Sequence, residues 1–302
     1  MKLLFQGSMT ALVTPFQNGK VDEKALRALV DWQIANGTDV LVPCGTTGEA
    51  PTLSYEEHER VVSIVVEQAA KKIPVLAGAG SNATDNAIKL AGQAKKAGAQ
   101  GMLQVTPYYN KPTQEGLYQH FKKIASAVEL PMVLYNVPGR TAVNMEAATT
   151  LRLAQIQNIV GIKEASGKLE QVGQILNEAP SGFGLYSGDD PLNMQIYMLG
   201  GQGAISVSSN IVPDKVSGIW DYFCSGNKRQ ALLEQENLQA LNKILFVETN
   251  PIPVKTALAM MGKCREEFRL PLCVMGEKNK VELKATLMDY GLWTMDYGLK
   301  KI

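Results

Sequence analysis

Two kinds of apolar pattern alternate along the chain. Short β-rich runs occur at Met9–Thr14, Val40–Cys44, Val75–Gly78, Gly101–Val105, Met132–Asn136, Val160–Lys163, Gly184–Ser187 and Ala204–Val207. They recur roughly every 25–35 residues, the length of one strand–helix unit. Between them the apolar positions take a helical period. Asp22–Ala35 sets Leu26, Leu29, Val30 and Ile34 on one face. Ser54–Lys72 opens with Ser54 followed by Glu57, the spacing of a capping box. Thr84–Ala97, Gln114–Val128, Met145–Leu153, Lys168–Glu178 and Pro191–Leu199 complete the series.

Eight such units predict an α/β fold, a (β/α)8 TIM barrel with parallel strands. An open doubly wound sheet calls for a Gly-x-Gly-x-x-Gly turn after the first strand, and none is there; Gly78-Ala79-Gly80 lacks the third glycine. From about Ile211 the pattern turns wholly helical, over Val212–Ser225, Lys228–Phe246, Pro253–Met261 and Val281–Tyr290, punctuated by Gly226-Asn227 and Pro271. The expected organisation is a barrel over 1–225, carrying the site, and a C-terminal helical subdomain over 226–302. A five-residue echo, Met288–Leu292 and again Met295–Leu299, is too short to be a structural repeat.

Composition narrows the partners. The 302 residues are 45% hydrophobic, enough for a large core, and the formal net charge is +1. No long basic run points to nucleic acid, and Lys278–Lys280 reads as a solvated face. No apolar run has the length of a membrane span. Polar residues from Gln6 to Thr14 interrupt the N-terminal stretch, which reads as a first strand rather than a signal peptide. Cys44, Cys224, Cys264 and Cys273 lack metal-ligand or disulfide-framework spacing, so free thiols in a reducing, cytoplasmic setting are expected, with no metal. Cys44 reads as a small buried hydrophobe.

Barrel enzymes work at the C-terminal ends of their strands, and five polar clusters fall there. Gly45-Thr46-Thr47-Gly48-Glu49 offers hydroxyls and amides for a small anion, without the Gly-Lys-Ser/Thr ending of a nucleotide loop; a plain turn is the equal alternative. Thr106–Asn110 holds the tyrosine pair Tyr108-Tyr109, more often a packing or interface feature. Tyr135–Thr141 places a tyrosine fit for proton relay before Arg140, fit to fork onto a carboxylate. Gly161–Ser166 contains Lys163. Strand alternation puts Ile159, Gly161 and Lys163 on one face, so Lys163 points into the barrel. A buried lysine either pairs with a carboxylate or loses its proton more easily and becomes an imine-forming amine. Ser187–Asp190 and Ser206–Asn210 carry no Lys or Arg, which argues against a phosphorylated substrate. His58 and His120 lie on helical stretches and read as packing residues.

Gly45–Glu49, Tyr135-Asn136-Val137-Pro138 and Gly161-Ile162-Lys163-Glu164 at their mutual spacing resemble the pyruvate-dependent Schiff-base lyase and aldolase family, and within it the dihydrodipicolinate synthase branch. Thr106–Asn110, Glu115–Phe121, Ser187–Asp190 and Asn250–Lys255 extend the likeness over nearly the whole chain. Sialic-acid lyases and 2-keto-3-deoxy sugar-acid aldolases are similar at Lys163 and Tyr135, and Arg140 separates the branches. The resemblance implies a class I aldolase-type lyase of lysine and diaminopimelate biosynthesis that needs no cofactor. Its substrates would be pyruvate and aspartate semialdehyde, and its assembly a homotetramer of tight dimers. It implies that Lys163 forms the Schiff base, with Tyr135, Thr46 and Tyr109 relaying protons and Tyr109 reaching in from a neighbouring subunit. Thr46 and Thr47 would hold the pyruvate carboxylate, Arg140 that of the second substrate, and Gly188 and Ile205 would line the lysine. A feedback pocket for lysine would use Ala50, Pro51, Tyr55, His58, Asn82, Asn86 and Tyr108. Ala50 stands where serine is common and Asn86 where a glutamate would meet the effector's ammonium group, so weak or absent lysine inhibition is expected.

Overall fold

Every one of the eight β-rich runs forms a strand in the computed structural model, which describes residues 3–293. They are β1 (Gly7–Ala11), β2 (Val40–Val42), β3 (Leu76–Gly78), β4 (Gly101–Val105), β5 (Met132–Asn136), β6 (Ile159–Glu164), β7 (Gly184–Ser187) and β8 (Gly203–Ser206). All pair in parallel, in the order β2-β1-β8-β7-β6-β5-β4-β3. A bridge between Leu41 and Val75 joins the two ends and closes the barrel. Strands buried on both faces need continuous apolar runs, which is why the sequence pattern was legible.

The interior is a packed column that includes Phe5, Met9, Val40, Val42, Leu76, Leu103, Val133, Tyr186 and Ile205. Phe5 and Tyr186 fill its lower end. The Tyr186 hydroxyl donates to the Phe5 carbonyl at 2.9 Å. Three glycines make the room: a Cβ on Gly101 would stand 2.5 Å from the Phe5 ring, and one on Gly161 or Gly184 would strike Tyr186. The expected alternation fails at one point. Met132 pairs with Ile159 and Val133 with Gly161, so Val160 is an extra residue in β6. This bulge turns Ile159 to the outer helical layer and Val160 toward the interior. Lys163 lies beyond the bulge and keeps its inward direction.

The outer helices follow the sequence reading to within a few residues. Ser54 and Glu57 form the reciprocal capping box that opens Tyr55–Ala69. Lys228–Phe246 divides at Leu238 into helices Lys228–Asn237 and Gln239–Ile244. The last described helix starts earlier than expected, at Glu277, and runs to Asp289. Lys280 is consequently half-buried and ion-paired to Glu266 at 3.0 Å rather than free in solvent. Met288–Leu292 ends this helix; the second copy of the echo, Met295–Leu299, lies outside the described residues. The C-terminal helices pack on the barrel through one continuous apolar cluster, in which Leu241, Leu258 and Leu283 join Val61, Val65 and Leu41. Two elements escaped the pattern: a hairpin, Phe16–Gln17 with Lys20–Val21, turned by Asn18 and Gly19 at positive φ, and a single helical turn over Pro138–Thr141. Among the described residues no helix is long and apolar enough to cross a membrane, and the four cysteines are free.

Candidate active site

The mouth of the barrel encloses a cavity of about 240 Å³, lined by Thr46, Thr47, Tyr135, Arg140, Lys163, Gly188 and Ile205 among others. This is below the roughly 300–1,000 Å³ of drug-sized sites and suits small metabolites. Seven of the residues singled out from sequence thus meet around one space.

Lys163 occupies its centre. Its side chain rises from β6, paired in register with Tyr135 of β5, and its residue is only 6% exposed. Nζ stands 4.4 Å from the centroid of the Tyr135 ring. It has no ion-pair partner among the described residues. Burial pulls its pKa down to about 8; the Asp190 carboxylate opposes the fall and Arg140 adds to it. A sizeable fraction of neutral amine near neutrality is the condition for attack on a carbonyl. Gly188 keeps the lysine straight: a Cβ there would stand 2.9 Å from Lys163 Cε and 3.1 Å from Cγ. Burial also raises the Tyr135 phenol, while Arg140 and a hydrogen bond with Thr46 work against the rise.

The Gly45–Glu49 turn is held closed by its own backbone. The amides of Gly48 and Ala50 donate to the Gly45 carbonyl, and that of Glu49 to Thr46. Three amides are therefore spent inside the turn, and the anion cradle reduces to the Thr46–Thr47 segment. Thr47 is buried, and its hydroxyl accepts from Asn250 Nδ2 at 3.0 Å. Arg140 sits on the Pro138–Thr141 turn and donates from Nη2 to the Asn250 carbonyl at 3.2 Å. Asn250 thus grips both Thr47 and Arg140, and it lines the cavity together with Phe246 and Asp189. From sequence, Asn250 stands only within a shared segment, Asn250–Lys255, and Phe246 only at the end of a helical stretch, neither with a site role. No local spacing marks either one, because only the packing of the C-terminal helices brings them over the barrel mouth.

Two buried carboxylates shape the loops without entering the reaction space. Glu164, pointing away from Lys163 on the adjacent position, accepts from Ser166 N at 2.7 Å, from Gln171 Nε2 at 3.0 Å and from Asn136 Nδ2. It ties the ends of β5 and β6 together. Asp190 accepts from the amides of Val207 and Ser208 at 2.9 and 3.0 Å and ties the loop after β7 to that after β8.

Tyr109 is not in this cavity. It is 88% exposed, and its backbone sits at φ 74, a left-handed conformation costly for a bulky residue. Asn82 and Asn110 brace the loop, Asn82 Nδ2 donating to the Tyr108 carbonyl at 3.3 Å and Asn110 Nδ2 to that of Asn82 at 2.8 Å.

The dihydrodipicolinate synthetase family model matches residues 4–290. The chain belongs to that family. A protein from Geotalea uraniireducens strain Rf4 named 4-hydroxy-tetrahydrodipicolinate synthase is 53% identical over 289 residues, 96% of this chain and 100% of that one. The crystal structure of dihydrodipicolinate synthase from Aquifex aeolicus superposes with a TM-score of 0.95 at 45% identity, covering 97% of this chain and 100% of the other. A chloride-inhibited dihydrodipicolinate synthase from Acinetobacter baumannii, complexed with pyruvate, gives a TM-score of 0.93 at 47% identity, covering 95% and 99%.

Within this family fold a second cavity, about 550 Å³, adjoins the first. Thr46, Tyr135 and Arg140 line both. Ala50, Pro51, Tyr55, His58 and Tyr108 line this outer space, whereas Asn82 and Asn86 are not among its lining residues and Asn86 is exposed. His58 Nε2 is 2.7 Å from the Gly78 carbonyl, and burial lowers its pKa, so the ring is neutral. His120 pairs with the Thr84 hydroxyl away from both cavities. Burial pushes the Cys44 thiol far up, which leaves it no nucleophilic form.

Proposed function

We propose that the protein is a lyase that condenses pyruvate with L-aspartate 4-semialdehyde, as a 4-hydroxy-tetrahydrodipicolinate synthase opening the lysine and diaminopimelate route. The observation that carries the reading is the desolvated, unpaired Lys163 amine beside Tyr135, in a cavity that also presents Arg140. The names and closeness of the relatives support it.

The amine attacks the pyruvate ketone, and loss of water leaves an iminium on Lys163. The iminium acidifies the neighbouring methyl group, whose proton departs to give an enamine. The enamine carbon attacks the aldehyde, and the new oxyanion takes up a proton. The amine of the added chain then attacks the imine carbon and expels Lys163, which closes the ring. The iminium is the electron sink, so the route calls for no separate cofactor. Thr46 and Thr47 hold the pyruvate carboxylate and Arg140 that of the semialdehyde, while Ile205 and Gly188 confine the lysine. Tyr135 and Thr46 begin the proton relay.

Tyr109 completes that relay from a neighbouring subunit, in a homotetramer built as a dimer of dimers. Its exposure and its left-handed backbone support this: a strained, solvent-facing tyrosine one residue from the second cavity is placed to serve another chain. The free thiols suit a cytoplasmic enzyme.

Borohydride reduction in the presence of pyruvate, followed by peptide mass spectrometry, tests the central step. The expected adduct is on Lys163; no adduct, or one on another lysine, refutes the mechanism.

A further inference from the structure

Asp190 is buried, and among the described residues its carboxylate forms no ion pair. Neutral donors hold it from three elements. The amides of Val207 and Ser208, after β8, reach Oδ2 at 2.9 and 3.0 Å. Asn193, which opens helix Asn193–Leu199, donates from Nδ2 to Oδ1 at 3.3 Å. From the C-terminal helices, Gln235 on Lys228–Asn237 donates from Nε2 to the Asp190 carbonyl at 2.9 Å. Asn242 on Gln239–Ile244 accepts from the Ser208 hydroxyl at 2.5 Å and so fixes a residue whose amide holds Oδ2.

Two of these donors are held at a cost. Asn193 Oδ1 and Gln235 Oε1 are both buried without a donor among the described residues. Turning either amide over would aim its oxygen at another acceptor, so Asp190 dictates the orientation of both. A buried acceptor left unpaired is unfavourable. The Asn193 amide gives up its own second bond to fix the direction of one carboxylate, and the Gln235 amide does the same for the turn that carries it. Because every donor is neutral, the negative charge of Asp190 stays uncompensated. We propose that Asn193 and Gln235 are positioning residues, which hold the Asp190 carboxylate as a fixed counter-charge to the cation that forms on Lys163.

This rests on the imine chemistry proposed above and adds how the charge on the lysine is balanced. Lys163 has no ion-pair partner of its own, and it is cationic both as the ammonium and as the iminium. A charge already fixed in place needs no reorganisation as that cation forms. Asp190 does not line the reaction cavity, so it acts by its field and not by contact with substrate. Its upward pull on the lysine pKa agrees. The other charged or titratable groups around Lys163 are Tyr135, Arg140 and Asp189, with Glu164 turned away. Around Asp190 they are Asp189 and the Tyr197 phenol, both pushed up by burial first and by Asp190 second. None of these groups bonds to the side chain of Asn193 or Gln235, so replacing either amide leaves them in place.

The test is kcat/KM for pyruvate against pH in Asn193→Leu and Gln235→Met, replacements of similar shape that lack the donor. A carboxylate released from its place supports the lysine cation less, so the acid limb is expected to move to lower pH by about half a unit in each. Each replacement removes an unpaired oxygen together with the donor, so the melting temperature is expected to fall by only a few degrees. In an Asp190→Asn background both replacements are expected to leave the limb where it is, because their effect passes through the carboxylate. Limbs that stay at the wild-type position, with or without lost stability, overturn the proposal and leave the two amides a structural role. A shift that persists undiminished beside D190N overturns it as well. Gln235→Met, on a separate helix, decides the matter alone where Asn193→Leu is too unstable to assay. Borohydride trapping of the wild-type enzyme with pyruvate separates the two levels: an adduct on Lys163 with unmoved limbs sinks only the positioning role, whereas no adduct sinks the imine reading and this one with it.

Discussion

Lys255 Nζ stands 2.7 Å from Glu49 Oε1, and neither side chain has any exposed surface. The ammonium also lies 4.0 Å from the centroid of Phe16. Burial pulls the lysine down and Glu49 holds it up. The pair bolts the C-terminal helix Ile252–Met260 to the turn that carries Thr46 and Thr47, more than two hundred residues earlier. Removing one partner strands the other in an apolar site, which costs about 3–5 kcal/mol. Lys255→Met is therefore expected to lower the melting temperature by roughly 10 °C in a calorimetric scan. The double replacement Glu49→Leu with Lys255→Met is expected to recover part of that loss; a double variant worse than either single one contradicts the account.

Lys163 predicts the pH dependence. Its folded pKa, about 8, lies below the ordinary 10.5. The reactive amine is the neutral form, so kcat/KM for pyruvate is expected to climb about tenfold per pH unit on the acid side and level off above about 8. Stability runs in the same direction: the folded state binds fewer protons at this site, so its penalty is full below about 8 and fades as pH rises toward 10.5. Asp190 holds the lysine pKa up, so Asp190→Asn is expected to move the acid limb of the rate profile to lower pH. A limb that stays in place, or moves up, contradicts this electrostatic role.

Lys163 also shows what the sequence could and could not reveal. Its inward direction followed from strand parity, yet the parity at Ile159 failed because a bulge at Val160 is invisible in an apolar run. The eight strands were legible because strands buried on both faces must be apolar throughout. Thr46, Thr47 and Arg140 are legible because each follows a strand end, and Tyr135 because it lies in the last residues of β5, the place where barrel chemistry gathers. Asn250 and Phe246 follow no strand; they reach the cavity through the packing of C-terminal helices, a long-range event with no local pattern. The hairpin turned by Asn18-Gly19, by contrast, does carry a local signature, an Asn-Gly pair at positive φ.

Gly188 gives a steric test. A methyl group there meets Lys163 Cε at 2.9 Å, Lys163 Cγ at 3.1 Å and Ala165 Cβ at 2.8 Å, and its amide is fixed to the Glu164 carbonyl at 2.8 Å. The lysine must shift, since β6 and the loop cannot. Displacing a reacting atom by about 1 Å costs on the order of a hundredfold in rate. Gly188→Ala is expected to slow borohydride-trapped imine formation by about that factor while leaving the melting temperature within a few degrees. Trapping at the wild-type rate rules out the steric account.

Asn250 reaches Thr47 and Arg140, the groups proposed above for the two substrate carboxylates, by different atoms. Its side chain donates to the Thr47 hydroxyl and its carbonyl accepts from Arg140. Asn250→Ala deletes only the first contact. With Thr47 on the pyruvate carboxylate, KM for pyruvate is expected to rise about fivefold, the worth of one neutral hydrogen bond, with a smaller change in KM for the semialdehyde. The opposite ratio in a two-substrate steady-state analysis assigns Thr47 to the other substrate.

The outer cavity bears on feedback by lysine. Its walls hold Ala50, Tyr55, His58 and Tyr108, but the position that would offer an acid is the neutral, exposed Asn86. His58 is neutral as well and cannot hold a carboxylate by charge. The acid that lines the cavity, Glu56, is exposed to solvent and already accepts from the Ser54 hydroxyl at 2.9 Å, so it offers an amino acid little. Losing one charge-assisted contact weakens binding by about ten- to a hundredfold. Inhibition by L-lysine is expected to be absent below millimolar concentration in a steady-state assay, and Asn86→Glu is expected to strengthen it. Sub-millimolar inhibition of the wild-type enzyme refutes the prediction, and an unresponsive N86E shows that position 86 does not reach the effector.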